Sequence, residues 1–238
     1  MARPQPTPSP ELLAELEAAA CNVSSPDPMG FNPQARIPFG VTVEHIGQAM
    51  TEFTDFLGFV NTQLRTRDIN RLETMLMAAN FSSIVGEFMT SAIPKYCPTI
   101  VKNTYHNGHP DMIKPGIYPG NSLQHGPLGT EGIEVKGSRY LKGWQGHNAE
   151  EAWLMMFCFT SGRPTDVSKN IPPTPFHFTL VAGAQLSKSD WSESGRKAGS
   201  RRTATASVKK SGYEKMIANW IYKAPEVPLS ALPSLFDD

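Results

Sequence analysis

Net charge is the first thing this chain lacks, since 22 basic residues balance 22 acidic ones. Overall charge therefore gives no argument for a nucleic-acid partner, and any such binding has to come from local asymmetry. Cysteine is scarce. Cys21, Cys97 and Cys158 cannot all pair and show no C-x-x-C spacing, so a disulfide framework is not expected. The histidines are scattered, and none pairs with cysteine at zinc spacing. No G-x-x-x-x-G-K-[ST] loop is present, which argues against ATP use, and no G-x-S-x-G elbow is present either. Apolar runs fall far short of the ~18–20 residues of a membrane span. The opening residues M-A-R-P-Q-P-T-P-S-P lack the apolar core of a signal peptide. The expectation is a reduced, cytoplasmic setting.

What is there divides into a helical part and a strand part. A chain of 238 residues can bury one sizeable core. Residues 1–40 read as a flexible, Pro-rich N-terminal segment with one short helix. That helix opens at Ser9-Pro10-Glu11, with Ser as cap and Pro in the first turn. Prolines 26, 28, 33 and 38 make 22–40 an irregular linker. Thr42 caps a long helix whose apolar residues Ile46, Met50, Phe53, Leu57, Val60 and Leu64 recur three and four apart. Asp68 is predicted to start a further helix, and Asn80 to cap one carrying Phe81, Ile84, Val85, Phe88 and Ile93. Strands follow from about residue 99. L-M-M-F-C-F-T (154–160) is a continuous apolar run suited to a strand buried on both faces. F-H-F-T-L-V-A (176–182) is a second candidate. The expected class is α/β (α+β): a helical N-terminal part, then a central mixed sheet flanked by helices, with 41–238 a single domain. The methionines read as core gap-fillers.

Two short strings carry the chemistry. Pro110-Asp111 is followed by Glu134-Val135-Lys136, and G-I-E-V-K alternates apolar and polar residues as a strand does. On a strand, Glu134 and Lys136 leave from one face. Carboxylate oxygens suit Mg²⁺, and a nearby ammonium can hold a water or neutralise phosphate charge. The intervening stretch is rich in Gly, Pro, Asn and His and reads as a connection. A turn aspartate plus an ordinary surface Glu/Lys pair is the plainer reading of the same letters.

The two strings together resemble the PD-(D/E)XK motif of many type II restriction endonucleases. The likeness covers residues 84–148. It implies a core of restriction-endonuclease type and Mg²⁺-dependent endodeoxyribonuclease activity on double-stranded DNA. Asp111 and Glu134 would bind the metal, with the Val135 carbonyl as a further ligand, and Lys136 would orient or help deprotonate the attacking water. Glu87, on the helix preceding the Asp strand, matches a glutamate that often joins such sites, although a solvated helix glutamate reads equally well. A homodimer is the default the resemblance implies, with monomeric members known. A structure-selective or repair nuclease and a non-catalytic DNA-binding protein stay open as alternatives.

DNA contacts are expected in two places. Arg139, Lys142, Gln145 and His147 follow Lys136 closely and could hold phosphates or read base edges. Asn148 could do the same, or cap a helix A-E-E-A-W. Residues 188–215 form a basic lobe with eight basic residues against three acids, inside a chain that is neutral overall. Arg196, Lys197, Arg201, Arg202, Thr203, Thr205, Lys209 and Lys210 are its candidate contacts, and T-A-T-A-S-V alternates like a strand. A β-ribbon entering a groove is the expected picture, with a solvated hairpin as the alternative.

Overall fold

The structure is a computed structural model, and it describes residues 9–126, 130–146, 149, 151–193 and 205–228. Helix α1 (Pro10–Ala20) starts where Ser9 accepts a hydrogen bond from the Leu12 amide. Helix α2 (Val43–Arg65) starts at Thr42, whose hydroxyl faces the His45 amide while the His45 ring faces the Thr42 amide. The apolar stripe of α2 buries Ile46, Met50, Phe53 and Leu57 completely.

The next stretch departs from expectation. Asp68 does not open a helix; it takes a positive φ of 54° in the turn after α2. Only one helical turn forms, α3 (Leu72–Met75), before α4 (Ala78–Tyr96) begins. Asn80 lies inside α4 rather than capping it. The reason is tertiary. Buried Glu73 is gripped by Arg71 at 2.7 Å and by the Asn61 amide at 2.9 Å. Asn61 also accepts the Leu72 amide. This polar network fixes the chain in a tight connection where helix propensity alone would have continued.

The sheet has six strands in the order β1-β2-β3-β5-β6-β9. They are β1 (Val101–Lys102), β2 (Met112–Ile113), β3 (Gly132–Ser138), β5 (Ala152–Thr160), β6 (His177–Leu186) and β9 (Trp220–Lys223). Only β3 and β5 run parallel; every other neighbouring pair is antiparallel. The class is therefore α+β with a mixed central sheet, as the sequence indicated. Strand β5 is central and buried along its whole length except Thr160, which is why its sequence is apolar without alternation. A parallel pair needs a crossover, and residues 139–151 supply it through the short strand β4 (Gln145–Gly146). The helix A-E-E-A-W does not form, because Ala152 and Trp153 are already strand.

Each face of the sheet has its own cover. Helix α4 lies so close to β3 that a Cβ on Gly137 would run into the Ser82 carbonyl. Phe53 on α2 and Phe81 on α4 join Phe88, Phe159, Phe176 and Phe178 in one aromatic cluster. All but the half-buried Phe88 are buried, and each fully buried ring contributes about 1.5–3 kcal/mol. On the other face, Trp144 meets Tyr213 of α5 (Lys210–Ala218), the ring centres 4.8 Å apart and the planes tilted by 45°. A small second sheet, β4-β8-β7, with β7 (Trp191–Glu193) and β8 (Ala206–Val208), belongs to the same lobe.

Residues 22–40 are irregular, but they are not a loose linker. Asn32 gives its amide to the Ile221 carbonyl and its side-chain NH₂ to the Trp220 carbonyl. Asn219 bonds Arg36 from both sides, and Phe31 bridges Tyr222. The segment covers the outer edge of β9, where unpaired backbone groups would otherwise face solvent. No helix among the described residues is long and apolar enough to cross a membrane.

Candidate active site

Register brings the two acids together. Met112 pairs with Ile133 and Ile113 with Gly132. Asp111 directly precedes β2 and so comes beside Glu134 and Val135 of β3. The Pro110 carbonyl accepts from the Asn103 side chain at 2.9 Å, and the Asp111 carboxylate takes the Val135 amide, its Oδ2 accepting at 2.8 Å. In a strand, one residue's N–H and C=O leave by the same edge. The Val135 carbonyl therefore faces the side on which Asp111 sits.

Glu134 and Lys136 share a face, as predicted. Lys136 Nζ donates to Glu134 Oε1 at 2.6 Å, and His109 Nδ1 lies 2.9 Å from Glu134 Oε2. A carboxylate only accepts, so His109 Nδ1 carries the proton in this pair. Glu134 is buried, 7% exposed. Burial works to raise its pKa, but the charge of Lys136 and the His109 bond overcome this and hold it below the usual carboxylate range. Asp111 moves the other way. Burial and then the negative charge of Glu134 push its pKa well up, against the Val135 amide and Lys136. The two acids thus differ: one is firmly charged and salt-bridged, the other is under electrostatic pressure that a cation would relieve.

Glu87 is brought near but not in. It is exposed on α4, and Lys102 of β1 bonds it at 2.9 Å and also reaches Ser91. Its charge still adds to the upward push on Asp111. Asp111, Glu134 and the Val135 carbonyl make an all-oxygen donor set, which fits a hard cation such as Mg²⁺. Among the described residues, no three His, Cys, Asp or Glu side chains gather as a metal-holding group. An ion here would complete its shell with water or phosphate oxygens, as Mg²⁺ commonly does.

Two residues of this site escaped the sequence reading. His109 directly precedes Pro110-Asp111, so its neighbourhood was legible although its bond to Glu134 was not. Asn103 had no local signal. Its buried side chain donates to the Pro110 and Leu123 carbonyls at 2.9 and 2.7 Å and accepts the Leu123 amide. Its backbone amide donates to the Asp111 carbonyl at 2.8 Å. Asn103 therefore fixes the turn that aims Asp111.

Of the residues expected to contact DNA, Arg139 is a correction. It is buried, with Nη1 donating to Ser161 and Gly162 and Nη2 to the Glu73 carbonyl. Its guanidinium lies over Phe81 and Phe159. These groups leave no fork for a phosphate. Lys142 and Gln145 are exposed, the latter opposite Ser207 in the small sheet. Thr205 is half-buried just before β8, and Lys209 and Lys210 are exposed where α5 begins. Lys209 Nζ donates to the Ser189 carbonyl. Strands β7 and β8 pair antiparallel, and residues 194–204 of the expected ribbon lie outside the described residues. His147, Arg196, Lys197, Arg201, Arg202 and Thr203, with Asn148, lie outside the described residues.

A cavity of about 690 Å³ is lined by Asp27, Leu141, His177, Tyr222 and Glu226 among others and includes none of the site acids. Another, about 210 Å³, lies by Arg71 and Cys21. The paired carboxylates and lysine mark the candidate site. Compared with family models, curated proteins and solved structures, the chain finds no match in any of the three.

Proposed function

We propose that this protein is a Mg²⁺-dependent endodeoxyribonuclease, similar to type II restriction enzymes of the PD-(D/E)XK superfamily. The observation that carries the reading is the meeting of Asp111, Glu134, Lys136 and the Val135 backbone at the end of β2. A turn aspartate and an unrelated surface Glu/Lys pair would have no reason to converge. A buried carboxylate with a second, half-buried one beside it and one lysine is costly unless it binds something.

Asp111 and Glu134, with the Val135 carbonyl, are the residues that would hold Mg²⁺. The ion would supply charge stabilisation at the phosphate and a lowered pKa for bound water. Lys136 leaves Glu134 and orients the attacking water. The water oxygen bonds to phosphorus, the bond to the 3′-oxygen breaks, and the products carry a 5′-phosphate and a 3′-hydroxyl. His109 keeps Glu134 in place while Lys136 moves. Glu87 lies close enough to join once Lys102 releases it. Duplex DNA is the substrate in this reading, with Lys142, Gln145, Thr205, Lys209 and Lys210 as outer contacts. A homodimer would cut both strands of a palindromic site. The cytoplasm is the matching compartment, in keeping with three free cysteines.

The test is a digest of phage DNA with purified protein and Mg²⁺, followed by sequencing of the fragment ends. Discrete ends with 5′-phosphates are expected. D111N, E134Q and K136A should each remove cutting while circular dichroism and melting stay close to those of the parent. Full cutting by D111N or E134Q sinks the proposal.

A further inference from the structure

The excursion from Asn103 to Gly126 is built in a way the catalytic reading leaves unexplained. It brackets Asp111, yet among its residues only Pro110, Met112, Ile113, Leu123 and Asn103 itself are buried. Such a stretch would ordinarily be loose. Here it is cross-linked by hydrogen bonds. The Thr104 amide donates to the Asn121 carbonyl, and its hydroxyl to Gly120. The Asn121 side chain accepts the Gly116 amide. The His109 amide donates to Gln124, and the His109 carbonyl accepts from Gly126. The two loop tips, around Tyr105 and around Ile117, are therefore held side by side.

That fixed platform displays apolar groups to solvent. Ile117 is 62% exposed and Tyr105 41% exposed. Lys114 and His106 stand exposed on the same platform. Between Lys102 and Gly126 the only acid is Asp111, which is turned into the site. A rigid, acid-free surface with a protruding aromatic and a protruding aliphatic side chain suits a nucleic acid, where such groups stack on or wedge between bases.

We infer that the 103–126 excursion is a DNA-engaging arm, with Tyr105 and Ile117 contacting duplex bases next to the bond that is cut. The inference rests on the nuclease reading for its choice of partner. The arm is joined to the chemistry through Asn103, which holds the Pro110 carbonyl, and through His109, which lies on the arm and holds Glu134. Seating the arm on DNA thus brings the already aligned acids to the adjoining backbone.

The experiment compares the full chain with the double variant Y105A/I117A. Fluorescence anisotropy in Ca²⁺ reads affinity for a duplex carrying the cut sequence mapped in the digest, and for each single strand. Both side chains are exposed, so the melting temperature should not change. Duplex affinity should fall about tenfold or more, the loss expected when base contacts of this kind are removed. An affinity within twofold of the parent overturns the arm, as does a loss confined to single strands. The parent separates the two hypotheses. If no cut sequence emerges, a mixed duplex pool replaces it; a parent that binds duplex without cutting refutes the nuclease reading, and the arm is still judged by the affinity ratio. A parent that binds no duplex refutes both.

Discussion

Replacing Arg139 by methionine should destabilise the fold without acting specifically on DNA. In the folded chain the guanidinium makes bonds of 2.5 Å to Ser161 Oγ, 2.8 Å to the Gly162 carbonyl and 3.0 Å to the Glu73 carbonyl. It also lies 5.3 and 5.6 Å from the ring centres of Phe81 and Phe159. Methionine of similar length keeps much of the packing and removes every donor. Hydrogen bonds from a charged donor contribute about 1.5–3 kcal/mol each, and a buried acceptor left bare costs about 1–3 kcal/mol. These terms are not additive, and relaxation lets Ser161 rotate, so a net loss of about 3–5 kcal/mol is the expectation. Domains of this kind have about 5–15 kcal/mol in total. At about 2–4 °C per kcal/mol for this size, melting should fall by roughly 6–20 °C. Urea unfolding with an unchanged slope is the assay, and R139K, which keeps charge without the fork, should fall between the two. An R139M protein as stable as the parent but defective in DNA affinity would refute the reasoning and return Arg139 to the surface role its sequence position suggests.

Two further perturbations test the lobe and the core. Asp190 accepts from Lys215, Ser211 and the Ser187 amide and hydroxyl. Burial works to raise its pKa, but these donors hold it at about 2. The unfolded value is about 3.9, so the folded state binds the proton less readily. The stabilisation is complete above the unfolded value and is lost as pH falls through about 2. Urea midpoints measured from pH 6 down to 2 should show this slope, and D190N should lack it; an identical slope in D190N refutes the assignment. Cys21, Cys97 and Cys158 are all buried, and burial pushes the Cys158 thiol far up. A thiol reagent should therefore find no fast-reacting group in the native protein and three after denaturation; one rapid native thiol contradicts the packing.

The strands were legible where one physical requirement dominated. The unbroken apolar run of β5 can be stable only between two covered faces, and that is where it lies. Glu134 and Lys136 could be placed on one face because alternation is a geometric property of any extended backbone. The caps at Ser9 and Thr42 are likewise local, each closing within three residues. Misreadings arose where distant partners competed with local preference. Asp68 and Asn80 have the side chains of helix caps, but the Asn61–Glu73–Arg71 network fixed the chain between α2 and α4 differently. The A-E-E-A-W stretch has helical composition, yet pairing of Ala152 and Trp153 in the sheet outweighed it.

The sequence by itself determined the chemical inventory: two acids and a lysine in an order fit for a metal-dependent site, on a chain with one apolar core. Tertiary structure alone decided which groups meet. Asp111 reaches the Val135 amide because the pairing of β2 with β3 sets it beside that residue, while the Pro110 carbonyl accepts from Asn103 instead. His109 reaches Glu134, and Asn103 the turn before Asp111, across separations that no local pattern encodes. Arg139 went the other way, from apparent ligand contact to buried staple, because three carbonyls and two aromatic rings converge on it from segments far apart in the chain. Side-chain type is written in the sequence, whereas the partners that fix its charge, exposure and direction are assembled only when the sheet closes.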